Sequence, residues 1–161
     1  MVDKPLPEPG KVMPEADHVL RYIAPRHIQD GIVNGEGFLA RPRDNNASSV
    51  NWMEWFDAPT ENQVASIRAV ARLTYAKTGK LVALNVGHTT RYINENAQRA
   101  VVLSLVHAPL DAEAPWPADP SHGLMQGVPA EDTPEAALVT DLIAECILPM
   151  IYDAAVAPEK V

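Results

Sequence analysis

The chain has 161 residues, 47% hydrophobic and 21% charged, a composition that excludes a disordered chain and fits one globular domain able to bury roughly two-thirds of its unfolded surface. A formal net charge of −8 opposes binding to nucleic acid or anionic membranes, both of which select clustered Lys and Arg. Cys146 is the single cysteine, which excludes an internal disulfide and any zinc site built on several thiolates.

Residues 1–15 contain Pro5, Pro7, Pro9 and Pro14 and read as an extended arm that orders against a partner. A globular domain over 16–156 and a tail over 157–161 follow. The arm has no apolar run, so it is expected to be neither a leader nor an anchor. No window approaches the roughly 18 apolar residues of a membrane span, and the expected location is the cytoplasm. Bulky residues over 18–23 predict a first strand, ended by Ala24-Pro25. Residues 29–37 are turn-rich, with Asn34-Gly35 as a hairpin signal because both tolerate positive φ. A strand over 38–41 and a polar turn at 43–46 then lead into a third strand over 48–56. Alternation places Val50, Trp52 and Glu54 on one face of that strand, and Ser49, Asn51, Met53 and Trp55 on the other.

Thr60-Glu61-Asn62-Gln63 has the form of a capping box. Val64, Ile67, Val70, Ala71 and Thr74 recur at helical spacing, with Arg68 and Arg72 on the wet side, and Gly79 is the stop; a helix over 61–77 results. The apolar runs 81–86 and 101–106 read as strands buried on both faces. A short helix over 89–99 between them predicts a right-handed βαβ crossover at the sheet centre. Pro109, Pro115, Pro117 and Pro120 around Trp116 make 108–120 an irregular loop, a length that is often functional. Thr133-Pro134 then opens a helix whose apolar stripe is Leu138, Val139, Leu142, Ile143, Cys146, Ile147 and Met150, ended or kinked by Pro149. The fold class is α/β or α+β, a single mixed sheet with two main packing helices.

Chemistry is sought among polar groups placed in strand-like segments. His18, His27, His88, His107 and His122 show no HxH, HxxxH or HExxH spacing, and neither a metal nor a cofactor is expected. Val86-Gly87-His88-Thr89-Thr90 presents a strand, a glycine and a helix start, which reads either as a phosphate cradle or as a plain Thr N-cap. Arg41 and Arg43, with Arg21 and Arg26, form the one local basic cluster, diluted by Asp44; a solvated face or an anion site accounts for it. Polar residues over 49–54 cost free energy in a half-buried strand unless paired. They read as an internal hydrogen-bond network or as a site wall in which Glu54 is acid or base, Asn51 orients substrate and Arg21 holds an anion. His122, closing the Asp119-Pro120-Ser121-His122-Gly123 segment, is the second catalytic candidate, with Glu54 or Asp119 as its partner. The ligand-binding candidates are His18, Arg21, Tyr22, Ser49, Asn51, His88 and Ser121. No GxSxG elbow occurs, which argues against the α/β-hydrolase mechanism.

Three blocks, His18-Val19-Leu20-Arg21-Tyr22, Ser49 to Phe56 and Asp119 to Gly123, together with Leu84-Asn85-Val86-Gly87, resemble those of a group of small uncharacterised bacterial proteins that carry them in the same order. The resemblance covers about residues 17–150 and implies no mechanism. It implies a bacterial or phage source and a role beside partner proteins in mobile-element or defence systems. Two functions follow as expectations. The first is an accessory or binding protein acting through a partner or ligand surface, with Trp52, Trp55 and Trp116 as interface anchors, core packing being the alternative for the first two. The second is a small metal-independent hydrolase or transferase on a phosphorylated or nucleotide-like substrate. A protein partner or homo-oligomer and a small anionic ligand are the expected partners.

Overall fold

The computed structural model describes residues 10–41, 46–97 and 102–154. In chain order the strands are β1 (His18–Ile23), β2 (Ile28–Gln29), β3 (Ile32–Val33), β4 (Ala47–Trp52), β5 (Lys80–Asn85), β6 (Ser104–His107), β7 (His122–Gln126) and β8 (Ile151–Asp153). The helices are α1 (Thr60–Val70), α2 (Val86–Asn96) and α3 (Glu135–Cys146). Six strands form one sheet in the order β6-β7-β4-β1-β5-β8, while β2 and β3 form a separate small hairpin. Every pairing between these strands is antiparallel.

The mixed α/β character and the two main packing helices are present, but the sheet is antiparallel rather than mixed, and the expected crossover is absent. β5 and β6 run in the same direction, yet β1, β4 and β7 lie between them, and β5 pairs with β1 and β8 instead. An apolar run does not say which strands flank it: the run at 101–106, expected at the sheet centre, gives the outermost strand β6, and its Val102 is exposed. β5 meets the expectation of burial on both faces: Val82 and Leu84 join one core, Leu81 and Ala83 the other.

The first core gathers Val19, Ile23, Val50, Trp52, Leu105 and Met125 from the sheet against Ile93 of α2 and Val139, Leu142, Ile143 and Cys146 of α3. The second lies on the opposite face, where Val64 and Ile67 of α1 pack on Leu20, Leu81 and Ala83. α1 therefore covers the β1, β5 and β8 side of its face. Over β4 and β7 that same face carries Asn51, paired with His122, and Ser49, paired with Leu124. The candidate site is built on this polar half.

Local departures from the expectations have local causes. The hairpin turn is Asp30-Gly31, both at positive φ (52° and 77°), rather than Asn34-Gly35. Asn34 instead caps a 3-10 turn, Gly35–Phe38, its side chain accepting from Glu36 N–H at 3.0 Å. The strand expected at 38–41 is thereby reduced to one bridge, Ala40 to Ala130. β4 stops at Trp52 because Met53–Trp55 turns in 3-10 form. This throws Glu54 out of the alternation and toward β1.

α1 opens at Thr60 with Pro59 before it and no side-chain cap, so the capping box is not made. The helix ends at Val70, well short of 77, with Ala71 extended. Gly79 is not its stop; a Cβ there would lie 2.5 Å from the Tyr22 ring. α2 begins three residues earlier than expected, with Asn85 as its cap. On α3, Leu138 is exposed while Val139, Leu142, Ile143 and Cys146 are buried, and Met150 lies beyond the helix in solvent. Of the arm, residues 1–9 lie outside the described residues, as do Arg43 and the tail at 157–161. Its remainder runs along β6: Gly10 N–H donates to the His107 carbonyl (2.6 Å), His107 N–H to Lys11 (2.9 Å) and Met13 N–H to Leu105 (2.9 Å). Met13 is buried there.

Candidate functional site

β1 and β4 are paired at Val19–Trp52 and Leu20–Asn51, and the register stops there although β1 continues to Ile23. Beyond that point Arg21 takes over the role of the ladder. Its Nε donates to the Gly37 carbonyl at 2.9 Å and its Nη1 to the Ser49 carbonyl at 2.6 Å. One guanidinium thus satisfies an acceptor on β4 and another on the 3-10 turn, the planar fork being suited to two fixed acceptors. Ser48 Oγ, donating to the Phe38 carbonyl at 2.7 Å, ties the same turn to β4. The parting of the two strands creates a recess.

At the floor of the recess lies a buried polar network. Asp119 and Ser121 are essentially inaccessible (1% and 0%) and Asn51 nearly so. Asn51 Nδ2 donates to Asp119 Oδ2 at 2.8 Å and to Ser121 Oγ at 2.9 Å. Ser121 then donates twice to Asp119 Oδ1, from its N–H (3.1 Å) and its hydroxyl (2.7 Å). The buried carboxylate is held by donors on β4 and on its own turn, which is how a buried acceptor avoids its desolvation penalty. The network fixes the entry to β7, helped by Trp52 N–H on the Ser121 carbonyl (2.8 Å) and by the His107 ring on the Pro120 carbonyl (2.6 Å).

His122 follows at the start of β7. Its Nδ1 is 2.7 Å from the Ala108 carbonyl and its Nε2 3.2 Å from Ser49 Oγ. A carbonyl only accepts, so Nδ1 carries a proton, and in the neutral ring Nε2 is the acceptor for the Ser49 hydroxyl. Ser49 and His122 come from adjacent strands, two residues out of direct register and so on the same face.

A cavity of about 200 Å³ opens over this pair, walled by Arg21, Tyr22, Asn51 and Asp119 on the sheet side and by Ala71, Arg72, Leu73 and Leu110 above. Arg21, Tyr22, Ser49 and Leu73 are shared with a wider cleft of about 750 Å³, to which Arg26, His27, Glu36, Arg41 and Glu131 contribute. Burial pushes the His27 imidazole below its ordinary value, and the Arg26 charge beside it acts in the same direction, against smaller opposing effects of Glu36 and Glu131. His27 therefore enters this cleft as a neutral ring at neutral pH.

The structure brings together Arg21, Tyr22, Ser49, Asn51 and His122, with Ser121 directly beneath Asn51. It does not join Glu54 to His122, since both ring nitrogens of His122 are engaged elsewhere. Glu54 accepts instead from the His18 backbone (2.8 and 3.0 Å) and ring Nδ1 (3.0 Å). His88 stands away on α2, stacked on Tyr92. The phosphate cradle at the start of α2 is filled by the chain itself: Val86 N–H donates to Asp17, Gly87 N–H to Glu15 and His88 N–H to Asn85 Oδ1. Trp52 is core, donating to Asp17 Oδ2 at 2.8 Å, and Trp55 stacks on the buried His107; Trp116 is exposed.

Two features escaped the sequence reading. Asp119 appeared there as a partner for His122, whereas Asp-Pro-Ser is an Asx turn in which a side-chain oxygen meets the N–H two residues on; that signal was present. Arg72 was assigned to a helix surface, and only the early end of α1 carries it to the cavity, where it bonds the Asp111 carbonyl and pairs with Glu113 at 3.5 Å. Among the described residues, no three His, Cys, Asp or Glu side chains gather as a metal requires, and no helix is long and apolar enough to cross a membrane. In comparisons with known proteins, no family model, curated protein or solved structure matches the chain.

Proposed function

We propose that this is a binding protein whose cleft takes a small anionic ligand of the nucleotide kind. One observation carries the reading: Arg21 from β1, Arg26 from the following turn and Arg41 from the approach to β4 line a single cleft in a protein of net charge −8. Clustered guanidiniums against the overall charge mark a place where an anion is favoured. Arg21 is already oriented by two carbonyls, so little order is lost on binding. Glu36 and Glu131 on the same walls supply acceptors for the amino groups of a base, while the arginines suit its phosphate. An accessory role in a bacterial mobile-element or defence system is the setting that the sequence resemblance implies, and the exposed Trp116 offers a surface for a protein partner.

Calorimetric titration with AMP, GMP and inorganic phosphate tests the ligand. A nucleotide should bind more tightly than phosphate alone, and Arg26→Glu should weaken it at least tenfold, as loss of a charge-assisted hydrogen bond of about 1.5–3 kcal/mol requires. Absence of binding by any of the three would remove the reading.

A further inference from the structure

We propose a further activity for the recess: Ser49 is a nucleophile activated by His122, and the protein hydrolyses small carboxylic esters. Three observations meet here. The Ser49 hydroxyl and His122 Nε2 are within hydrogen-bond reach at 3.2 Å. The opposite ring nitrogen is held at 2.7 Å by the Ala108 carbonyl, which sets the tautomer that leaves Nε2 basic. Ser49 is exposed and opens on a cavity with two guanidiniums, Arg21 and Arg72, and an apolar wall of Ala71, Leu73 and Leu110. Nucleophile, base and an orienting third group in this order are the minimal arrangement for acyl transfer. The pairing owes nothing to a nucleophile elbow, since two neighbouring antiparallel strands supply it.

The buried network gives the pair its rigidity. Asp119, Ser121 and Asn51 fix the backbone on which His122 begins β7, and Ala108 is bound to His122 twice, its N–H also donating to the His122 carbonyl at 2.9 Å. In the reaction Ser49 Oγ forms a bond to the ester carbonyl carbon while its proton passes to His122 Nε2. The carbonyl π pair moves to oxygen, beside the positive charge of Arg21 and Arg72. Collapse of this intermediate breaks the bond to the leaving alkoxide, which takes the proton from His122. Water, deprotonated by the same nitrogen, then releases the acid and restores Ser49. The cavity of about 200 Å³ limits the acyl group to a short chain lying on the leucine wall. This reading is independent of nucleotide binding, which calorimetry detects without turnover.

The test is labelling of the full chain by a fluorophosphonate, with mass spectrometry of the peptides, alongside hydrolysis of p-nitrophenyl butyrate. The adduct is expected on Ser49. Ser49→Ala should abolish both signals, and His122→Gln should slow labelling by about 100-fold or more. In the wild type the labelling rate should rise with pH as a single imidazole loses its proton. That profile decides the matter even if His122→Gln fails to fold. An unlabelled Ser49 in the folded protein, an adduct confined to another residue, an unchanged rate in a folded His122→Gln, or a flat pH profile would each overturn the proposal.

Discussion

Asp119 concentrates the energetics of the site in one side chain. Its carboxylate is buried and receives donors from Asn51 and twice from Ser121. Truncation leaves those donors without their acceptor, and each such buried group costs about 1–3 kcal/mol. Asp119→Ala should therefore lose about 3 kcal/mol in urea denaturation, more than removal of the exposed Ser49 hydroxyl. Cys146 offers a contrasting residue: burial pushes its thiol up, against a smaller opposite effect of the Thr89 hydroxyl. Alkylation by iodoacetamide should be slow in the native protein and become rapid in denaturant, since the thiolate is the reactive form. Both residues were legible in part. The apolar stripe placed Cys146 correctly, while Asp119 was noticed for its neighbour and not for its burial, because burial at a loop end is set by what packs over it.

Glycines show how an element's environment, more than its own propensity, sets the cost of a change. Gly31 has φ +77° and nothing within 4 Å of an added Cβ, so Gly31→Ala should lose about 1 kcal/mol through the backbone alone. Gly79 has no such conformation, and its Cβ would press on the Tyr22 ring. Gly79→Ala should cost about 1–3 kcal/mol and shift Tyr22, whose hydroxyl accepts from Ala76 N–H at 3.0 Å. Thermal melts of the two variants, with the NMR signals of the Tyr22 ring reporting on its displacement, separate these mechanisms. The early end of α1 belongs to the same scale: helical spacing continued past Val70, but the chain leaves the helix to roof the cavity with Ala71, Arg72 and Leu73. Tertiary contacts outweigh a propensity that is worth tenths of a kcal/mol per residue.

For the whole molecule, the N-terminal arm and the cleft charge make separate predictions. Residues 10–13 cover the outer edge of β6, and an uncovered edge is a template for pairing with another chain. Deleting residues 1–14 should cost about 3 kcal/mol from Met13 burial and the lost edge bonds, and light scattering should show concentration-dependent association. The pH dependence rests on His27. Its folded value lies below the ordinary 6.5, so the unfolded chain binds more protons across that interval and stability rises with pH there. The contribution is present in full above 6.5 and is lost as pH falls through it toward the folded value. His27→Gln should flatten the rise of stability with pH just below 6.5, read from urea midpoints.

The residue pattern by itself determined which faces of β4, β5, α1 and α3 are buried. An all-apolar run made β5 a two-faced strand, and alternation put Ser49 and Asn51 on the face opposite Val50 and Trp52. Spacing of three and four likewise assigned Val64 and Ile67 of α1 and Val139, Leu142 and Ile143 of α3 to the core. These are local properties, carried by periods of two and 3.6 residues. Only the tertiary structure decided strand order, because pairing partners are chosen by long-range closure and packing, and β5 and β6 became separated by three strands. The same holds for the recess. Ser49 and His122 are 73 positions apart and Asn51 and Asp119 68; each is a half-satisfied polar group until the strands join. The blocks from which the site is made were visible along the chain, but their partners were not, since hydrogen-bond complementarity across a sheet exists only once the register is formed.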